Sequence, residues 1–254
     1  MAERSLKEKL ESGGVVLGIA NAYPGTGIIE QIARGWDFIW IDGQHGLHSY
    51  ESLLHSCITA DLVGTASLVR VHSHDPGEIC RYADLAPKAL MIPMVNSVAK
   101  ARAIANAVLY PPRGTRSFGG RRAADVYGIG MLEHTPLVVA QIETVEAAAV
   151  AKEIAEVDGI DGLFFGPDDM KLRMNIPLGT AVNDDPRLQT AVQQVAGAAN
   201  DAGKFAGIVV DPELLGDVLD LGYRMVSCGS DAGLLQGAAA IREAVRSKVV
   251  GRSG

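Results

Sequence analysis

Charged and imidazole side chains stand where apolar runs end. FIWID ends in Asp42, and His45 follows three residues later; Glu143 follows LVVAQI, and Asp169 follows GLFFG. Arg70 lies inside the apolar run LVRV. Two carboxylates with no cysteine or histidine at metal-ligand spacing favour a hard, octahedral ion such as Mg²⁺ or Mn²⁺. Histidine beside a carboxylate is the usual makeup of a general acid–base, and a guanidinium binds carboxylate or enolate oxygens in its fork.

Each of these residues also has a structural explanation. Glu143 opens the helical segment ETVEAA, and Asp169 follows Gly-Pro, so either could simply stabilise a helix N-terminus. Arg70 could form a structural ion pair, since a charge in a buried strand is costly without a partner. His45, taken alone, is more readily a rim histidine with a satisfied ring. These alternatives stay open until the elements that carry the residues are placed.

Eight short apolar runs alternate with amphipathic segments. The runs are VVLGIA (15–20), DFIWID (37–42), ASLVRV (66–71), ALMIPM (89–94), LVVAQI (137–142), GLFFG (162–166), FAGIVV (205–210) and RMVSCG (224–229). Near-continuous apolar strands indicate burial on both faces, as in a parallel sheet covered by helices. The pattern predicts an α/β fold, a single TIM (β/α)8 barrel over residues 1–254 with an N-terminal and a C-terminal helix. A doubly wound open sheet is disfavoured, because no GxGxxG follows the first run.

In such a barrel, reactive groups gather at the carboxyl ends of the strands. Glu143 and Asp169 are 26 positions apart (169 − 143), about one βα unit, so both are expected at one rim. This favours the metal hypothesis over two separate helix caps. A Schiff-base aldolase would need a lysine inside the barrel. No lysine ends a predicted strand, and only Lys171 lies near the predicted rim.

Composition excludes several classes of partner. The formal net charge of −7 argues against nucleic acid. A long Pro/Gly/Arg-rich loop over residues 111–136 contains the one cluster of basic residues, and a cluster of this size is suited to binding a small anion. Its members are Arg113, Arg116, Arg121 and Arg122. Three cysteines without CxxC indicate a reducing cytoplasm. No signal peptide or membrane span is predicted.

The motifs together resemble the HpcH/HpaI aldolase family, metal-dependent class II pyruvate aldolases of the phosphoenolpyruvate/pyruvate barrel superfamily. Matching stretches cover nearly the whole chain in order: FIWIDGQHG (38–46), LVRV (68–71), ALMIPMVNS (89–97), YPPRGTRSFGG (110–120), QIET (141–144), GIDGLFFGPDDM (159–170), GKFAGIV (203–209) and GSDAGLL (229–235). The resemblance implies reversible cleavage of 4-hydroxy-2-oxo acids to pyruvate, or hydroxypyruvate, and an aldehyde through a metal-stabilised enolate. It implies Mg²⁺, Mn²⁺ or Co²⁺ as cofactor. It also implies a homo-oligomer, a hexamer of paired trimers, in which the C-terminal helix packs on a neighbour or only on its own barrel.

The family pattern also implies catalytic roles. Glu143 and Asp169 match the carboxylates that hold the divalent ion, and Arg70 matches the arginine on the pyruvate or enolate oxygens. His45 matches the acid–base histidine, which usually acts through water. Two acids match those near it, and either one is a candidate to orient His45: Asp42 and Asp84.

Substrate contacts follow from the same resemblance. Gln141 matches a residue close to the bound keto acid. The segment Gly166, Pro167 and Asp168 matches the substrate carboxylate site, where the backbone N–H groups of Asp168 and Asp169 receive the carboxylate. Val209 matches a pocket position that touches the aldehyde.

Departures from the family pattern lie where the aldehyde should enter. Gln44 stands where many members have Glu, Gly46-Leu47 where many have Ala-Pro, and Met170-Lys171 where many have Leu-Ser. The aldehyde is therefore left open. Two other functions are weighed: a related acyl-CoA lyase of the citrate lyase β/malyl-CoA type, and a non-catalytic barrel that binds a keto acid.

Overall fold

Eight parallel strands close into a barrel in chain order in the computed structural model, which describes residues 5–250. The strands are β1 (Val16–Asn21), β2 (Phe38–Asp42), β3 (Ala66–Arg70), β4 (Ala89–Ile92), β5 (Leu137–Ile142), β6 (Gly162–Phe165), β7 (Phe205–Val209) and β8 (Tyr223–Ser230). Each predicted run carries one strand, with ends that agree within two residues. The TIM-barrel prediction is confirmed; that residues 1–254 form one domain stays a prediction.

Helices surround the barrel, and several begin at a residue whose side chain caps the first turn. They are α1 (Leu6–Glu11), α2 (Thr26–Ile32), α3 (Tyr50–Val63), α4 (Pro76–Ala83), α5 (Val98–Val108), α6 (Arg121–Tyr127), α7 (Val145–Ala149), α8 (Ala151–Ala155), α9 (Pro167–Arg173), α10 (Pro186–Asp201), α11 (Leu215–Asp220) and α12 (Asp231–Val250). Two 3₁₀ turns cover Gly128–Leu132 and Pro212–Leu214. Asp75 and Asp185, for example, accept backbone N–H bonds at the starts of α4 and α10, each followed by proline.

Layers of side chains fill the barrel interior. Strand register, with the stagger of an eight-stranded barrel, puts inward residues of alternate strands at one level. The even strands contribute one layer: Trp40, Met91, Phe164 and Ser227. One residue nearer the carboxyl ends, the odd strands contribute the next: Ala20, Arg70, Gln141 and Val209. Three predicted site residues therefore share one layer, and the layer beneath is its floor.

The two ends of the barrel are closed differently. At the amino end, Leu6 and Leu10 of the predicted N-terminal helix α1 join the interior cluster and plug the barrel. At the carboxyl end, α12 leaves the barrel after Asp231, and every residue from Gly233 to Val249 is exposed. The alternative that this helix packs only on its own barrel is therefore wrong. Among the helices of residues 5–250, none combines the length and the hydrophobicity of a membrane span.

The basic loop is not an open anion site. Residues 111–136 form the predicted long loop with a short helix, α6. Each of its four arginines, however, pairs with an aspartate: Arg113 with Asp158, Arg116 with Asp84, Arg121 with Asp125, and Arg122 with Asp61. The prediction of an anion site is wrong because aspartates neutralise these arginines. Three of the aspartates are distant in sequence, and the fourth lies one turn further along the same helix. The loop lies between α5 and β5, at the amino end of the barrel.

Candidate active site

Arg70 and Asp42 form a fork-shaped ion pair where β3 and β2 end. Arg70 donates from Nε to Asp42 Oδ1 at 2.9 Å and from Nη2 to Oδ2 at 2.6 Å. Both side chains are nearly buried, 11% and 13% exposed. Burial alone would raise the pKa of Asp42, but the hydrogen bonds and charge of Arg70, with two backbone N–H groups, hold that pKa below its ordinary value. Asp42 is therefore a carboxylate that fixes the direction of the guanidinium.

His45 hangs over the rim on a turn that Asp42 also shapes. Asp42 Oδ1 accepts the backbone N–H of Gln44 at 3.0 Å and of His45 at 3.2 Å. The His45 side chain is exposed, and its ring makes no hydrogen bond within residues 5–250. Asp42 thus positions the backbone that carries His45 rather than the imidazole itself. The ring is free to meet a substrate or a water molecule.

Asp84 does not reach His45 within this chain. It follows α4 and precedes β4, on the side of the barrel where the strands begin. Arg116 donates to Asp84 Oδ1 at 2.7 Å from a guanidinium that is 2% exposed. The expectation that Asp84 lies beside His45 is therefore wrong inside one chain, because a short helix carries the acid away from the rim.

Glu143 is a buried carboxylate at the mouth of the barrel, 2% exposed. Its Oε1 accepts the backbone N–H of Met94 at 2.6 Å. Burial raises the pKa of Glu143 from 4.5 to about 7; the Met94 bond lowers it, and the nearby charge of Asp169 raises it further. Burial removes the Glu143 carboxylate from water, and nearby positive charge offsets this loss of solvation only weakly. A buried acid in this state is a functional-site signal.

The start of α9 brings four predicted residues to the same mouth. Gly166 precedes the helix, Pro167 is its first residue, and Asp168 and Asp169 lie in its first turn. Asp169 is half-buried, 3.7 Å from Arg173. Lys171, the lysine expected near the rim, is 9% exposed; its ammonium donates to Leu178 O at 2.9 Å and pairs with Asp168 at 3.3 Å. Lys171 is occupied as an anchor of the following loop.

Gly166 forms a close cradle against two of these side chains. A β-carbon added there would lie 2.8 Å from the Glu143 β-carbon and 3.0 Å from Gln141 Nε2. The bare backbone at the end of β6 therefore lets Glu143 and Gln141 approach the first turn of α9. Gln141 is 3% exposed, and its Oε1 has no partner within the described residues. Val209 completes the same interior layer from the end of β7.

A second polar network lies beside the rim and has a structural role. Asp231, 1% exposed, accepts Asn21 Nδ2 at 2.8 Å and the backbone N–H groups at 22, 23 and 232. His48 Nε2 lies 3.0 Å from Asn21 Oδ1, and Nδ1 lies 3.3 Å from Ser52 Oγ. His48 precedes Ser49, the cap of α3. The network fixes the ends of β1 and β8 where α12 leaves.

A cleft of about 670 Å³ lies at the amino end of the barrel, away from these groups. Its walls include Trp36, Asp37, Lys88, Tyr127 and His134. None of the predicted site residues lines it. The carboxyl rim is the better candidate, because buried and unpaired polar groups converge there.

A model of the family described as HpcH/HpaI aldolase/citrate lyase matches residues 27–238. The chain belongs to this family. A hydroxypyruvate/pyruvate aldolase of Rhizorhabdus wittichii is 36% identical over 222 residues, 85% of this chain and 88% of the relative. A 4-hydroxy-2-oxo-heptane-1,7-dioate aldolase of Salmonella typhimurium is 34% identical over 99% of both chains. The crystal structure of an HpcH/HpaI aldolase from Desulfitobacterium hafniense superposes with a TM-score of 0.86 at 27% identity, covering 96% of each chain.

HpcH/HpaI members generally depend on a divalent metal ion, and the residues at this mouth fit one. Glu143 and Asp169 are close enough for their charges to interact, and both offer hard oxygen ligands. The orphaned Gln141 Oε1 and the open cradle at Gly166 leave polar space beside them. Within residues 5–250, no set of three or more His, Cys, Asp or Glu is arranged around one ion. Water and substrate would supply the remaining ligands.

Two contacts at the site were not predicted from the sequence. Met94 fixes Glu143 through a backbone N–H, and it does so from a left-handed conformation at φ 56°. No side-chain pattern marks such a donor. Trp40 lies under Arg70, with the guanidinium carbon 4.8 Å from the ring centroid. The alternation of β2 could have found it, since Trp40 and Asp42 share a face.

Proposed function

We propose that this chain is a divalent-metal-dependent aldolase. It reversibly cleaves 4-hydroxy-2-oxo acids to pyruvate, or hydroxypyruvate, and an aldehyde. One observation supports this proposal most strongly: four side chains from the ends of four different strands lie at one mouth of the barrel, namely Arg70, Glu143, Asp169 and His45. The names of the aldolase relatives support the same class of substrate.

The oxo acid is held by charge on three sides. Glu143 and Asp169 would hold the divalent ion, Mg²⁺, Mn²⁺ or Co²⁺. When bound, the ion would supply a Lewis acid that stabilises negative charge on the oxo acid. Arg70, preset by Asp42, donates to the oxygen that becomes the enolate, and the N–H groups of Asp168 and Asp169 receive the carboxylate. Gln141, in the layer of Arg70, lies beside the keto acid.

His45 moves the proton. When the C3–C4 bond breaks, the C4 hydroxyl loses its proton to the His45 ring or to a water molecule that the ring holds. The electron pair of the broken bond enters the enolate, which Arg70 stabilises. Support comes from the exposed ring, which has no hydrogen-bond partner among residues 5–250, on a turn fixed by Asp42. Val209 bounds the space left for the aldehyde.

The test is aldol cleavage with the metal controlled. Wild-type protein stripped with EDTA should lose pyruvate release from a 4-hydroxy-2-oxo acid, and Mg²⁺, Mn²⁺ or Co²⁺ should restore it. His45→Ala should lower kcat by roughly 10²- to 10⁴-fold while pyruvate binding changes little. His55→Ala, on the outer face of α3, is the matched control. Full activity in chelator would refute the metal assignment, and faster turnover of malyl-CoA would move the function to the acyl-CoA lyases.

The protein is further proposed to act as a homo-oligomer, a hexamer of paired trimers. The exposed helix α12 supports this with one apolar stripe at helical spacing: Leu234, Ala238, Ile241, Val245 and Val249. A neighbouring barrel would cover that stripe. Asp84, which misses His45 in its own chain, would then act at the rim of a neighbour.

The remaining partners are proposed to be the small-molecule oxo acid and aldehyde. A net charge of −7 lends no support to nucleic acid as a partner. Three cysteines with no disulfide among them support a cytoplasmic location, which localisation of a tagged chain would test.

A further inference from the structure

Buried polar atoms without partners line the barrel interior at and just beneath the proposed oxo-acid site. Trp40 Nε1, Gln141 Oε1 and Ser227 Oγ are all shielded from solvent and have no hydrogen-bond partner within the described residues. The parent side chains are 7%, 3% and 0% exposed. Buried polar groups are nearly always paired with protein or an ordered molecule. Three unpaired groups in two adjacent layers of the barrel interior therefore indicate a bound polar species.

All three side chains point into the barrel. Trp40 belongs to the interior cluster, while Ser227 and Gln141 each follow an interior residue, Met225 and Val139, by two positions on the same strand. Trp40 and Ser227 are in the floor layer. Gln141 is in the layer above, one residue of strand rise, about 3.3 Å, nearer the mouth.

The Trp40 ring is held in place next to the reacting groups. The Arg70 guanidinium carbon lies 4.8 Å from the indole centroid, and Phe164 meets the ring edge-on at 5.5 Å. Between Trp40 and Ser227, strand β1 contributes only Gly18 and Ala20. The Phe38 ring packs over Gly18 below this corner, and Ala20 on its mouth side carries only a methyl group.

The three atoms together match one chemical group. An indole N–H only donates, an amide oxygen only accepts, and a serine hydroxyl does both. A methyl group would leave all three unsatisfied, and an anion could not satisfy the amide oxygen. A hydroxyl both accepts and donates, so it can pair with a donor and an acceptor at once.

We propose that Trp40 and Ser227 form a subsite that recognises a hydroxyl group of the substrate beside the reacting carbons. The inference rests on the proposed aldolase function and narrows its substrates to hydroxylated ones. Such a hydroxyl is on C3 of the oxo acid in hydroxypyruvate, or next to the carbonyl of a hydroxyaldehyde. Ser227 pairs in register with Val209, at the proposed aldehyde pocket, and Trp40 lies against Arg70 at the oxo-acid site. Both sources therefore have to be tested.

The test compares substrates that differ by one hydroxyl. With acetaldehyde as acceptor, hydroxypyruvate is compared with pyruvate; with pyruvate as donor, glycolaldehyde is compared with acetaldehyde. Trp40→Phe removes the N–H and keeps a ring, and Ser227→Ala removes only the hydroxyl. In one of the two comparisons, each variant should lower kcat/KM roughly 2- to 10-fold more for the hydroxylated member, as expected for one lost hydrogen bond.

Ser67→Ala is the matched control. Its hydroxyl is also buried on a barrel strand, but it faces the helices beside Cys57. It should change both members of each comparison equally. The subsite would be overturned if Trp40→Phe and Ser227→Ala changed kcat/KM equally for the two members of both comparisons. The occupant would then be a trapped water molecule.

Binding separates this proposal from the proposed function. Calorimetric titration of the Mg²⁺-loaded protein with hydroxypyruvate and with pyruvate needs no turnover. Absent aldol product together with tighter hydroxypyruvate binding, weakened in Ser227→Ala, would refute the aldolase and retain the subsite. Equal affinities for hydroxypyruvate and pyruvate, with equal kinetics in both comparisons, would refute the subsite alone.

Discussion

Replacing Glu143 by glutamine should stabilise the metal-free protein while it destroys activity. Burial raises the pKa of Glu143 from 4.5 to about 7, a difference of about 2.5. Because the folded state binds this proton more tightly than the unfolded state, stability falls as pH rises from about 4.5 to about 7. At 1.36 kcal/mol per pKa unit the loss is on the order of 3 kcal/mol above pH 7. Glutamine keeps the acceptor for the Met94 N–H without the charge.

The assay is urea unfolding of wild type and Glu143→Gln in EDTA at pH 5 and pH 8. The variant should be more stable by roughly 2–3 kcal/mol at pH 8 and by less than about 1 kcal/mol at pH 5. Exposed Glu153→Gln is the control and should stay within about 0.5 kcal/mol at both values. Added Mg²⁺ should stabilise only proteins that keep Glu143. A stability difference that does not change with pH, or a variant weaker than wild type at pH 8, would refute the reasoning.

Three further substitutions test individual contacts. Asp42→Asn removes the charged partner of Arg70 and should lower kcat/KM roughly 10- to 100-fold, or about 1.4–2.7 kcal/mol, in steady-state assays; a change within about twofold would deny the pair a role. Gly166→Ala places a methyl group 2.8 Å from the Glu143 β-carbon. It should weaken Mg²⁺ binding measured by calorimetry and lower the free energy of unfolding by about 1–3 kcal/mol. Unchanged Mg²⁺ affinity would show that the site tolerates a side chain at position 166. Ile241→Glu puts a charge in the α12 stripe and should reduce the mass measured by light scattering, whereas an equal mass for variant and wild type would contradict the proposed assembly.

Periodicity was sufficient to predict the barrel. Eight apolar runs of strand length alternate with amphipathic segments, the pattern of parallel strands covered by helices, and their number matches a closed barrel. The destination of α12 was not predictable in the same way. Its apolar stripe fits packing on its own barrel as well as packing on a neighbour, since local sequence does not record which surface covers a helix.

Site residues on strand ends were placed well, and those after helices were not. Arg70, Gln141 and Val209 share a layer because alternate residues of parallel strands face inward. Asp84 follows a helix of eight residues, whose length decides which end of the barrel the acid reaches.

The four loop arginines show the same limit on a larger scale. Three of their aspartate partners lie 32 to 61 positions away in the chain, so sequence proximity could not reveal the pairing. Only the tertiary fold brings these acids to the loop and neutralises it.

Exchange of the C3 protons of pyruvate in D₂O, followed by proton NMR, tests the central claim most directly. It requires enolate formation at Arg70 and the metal carboxylates, and it needs no knowledge of the aldehyde. The account predicts exchange by wild type with Mg²⁺, and loss of exchange in EDTA and in Glu143→Gln. Undiminished exchange in EDTA, or none by the Mg²⁺-loaded wild type, would contradict it.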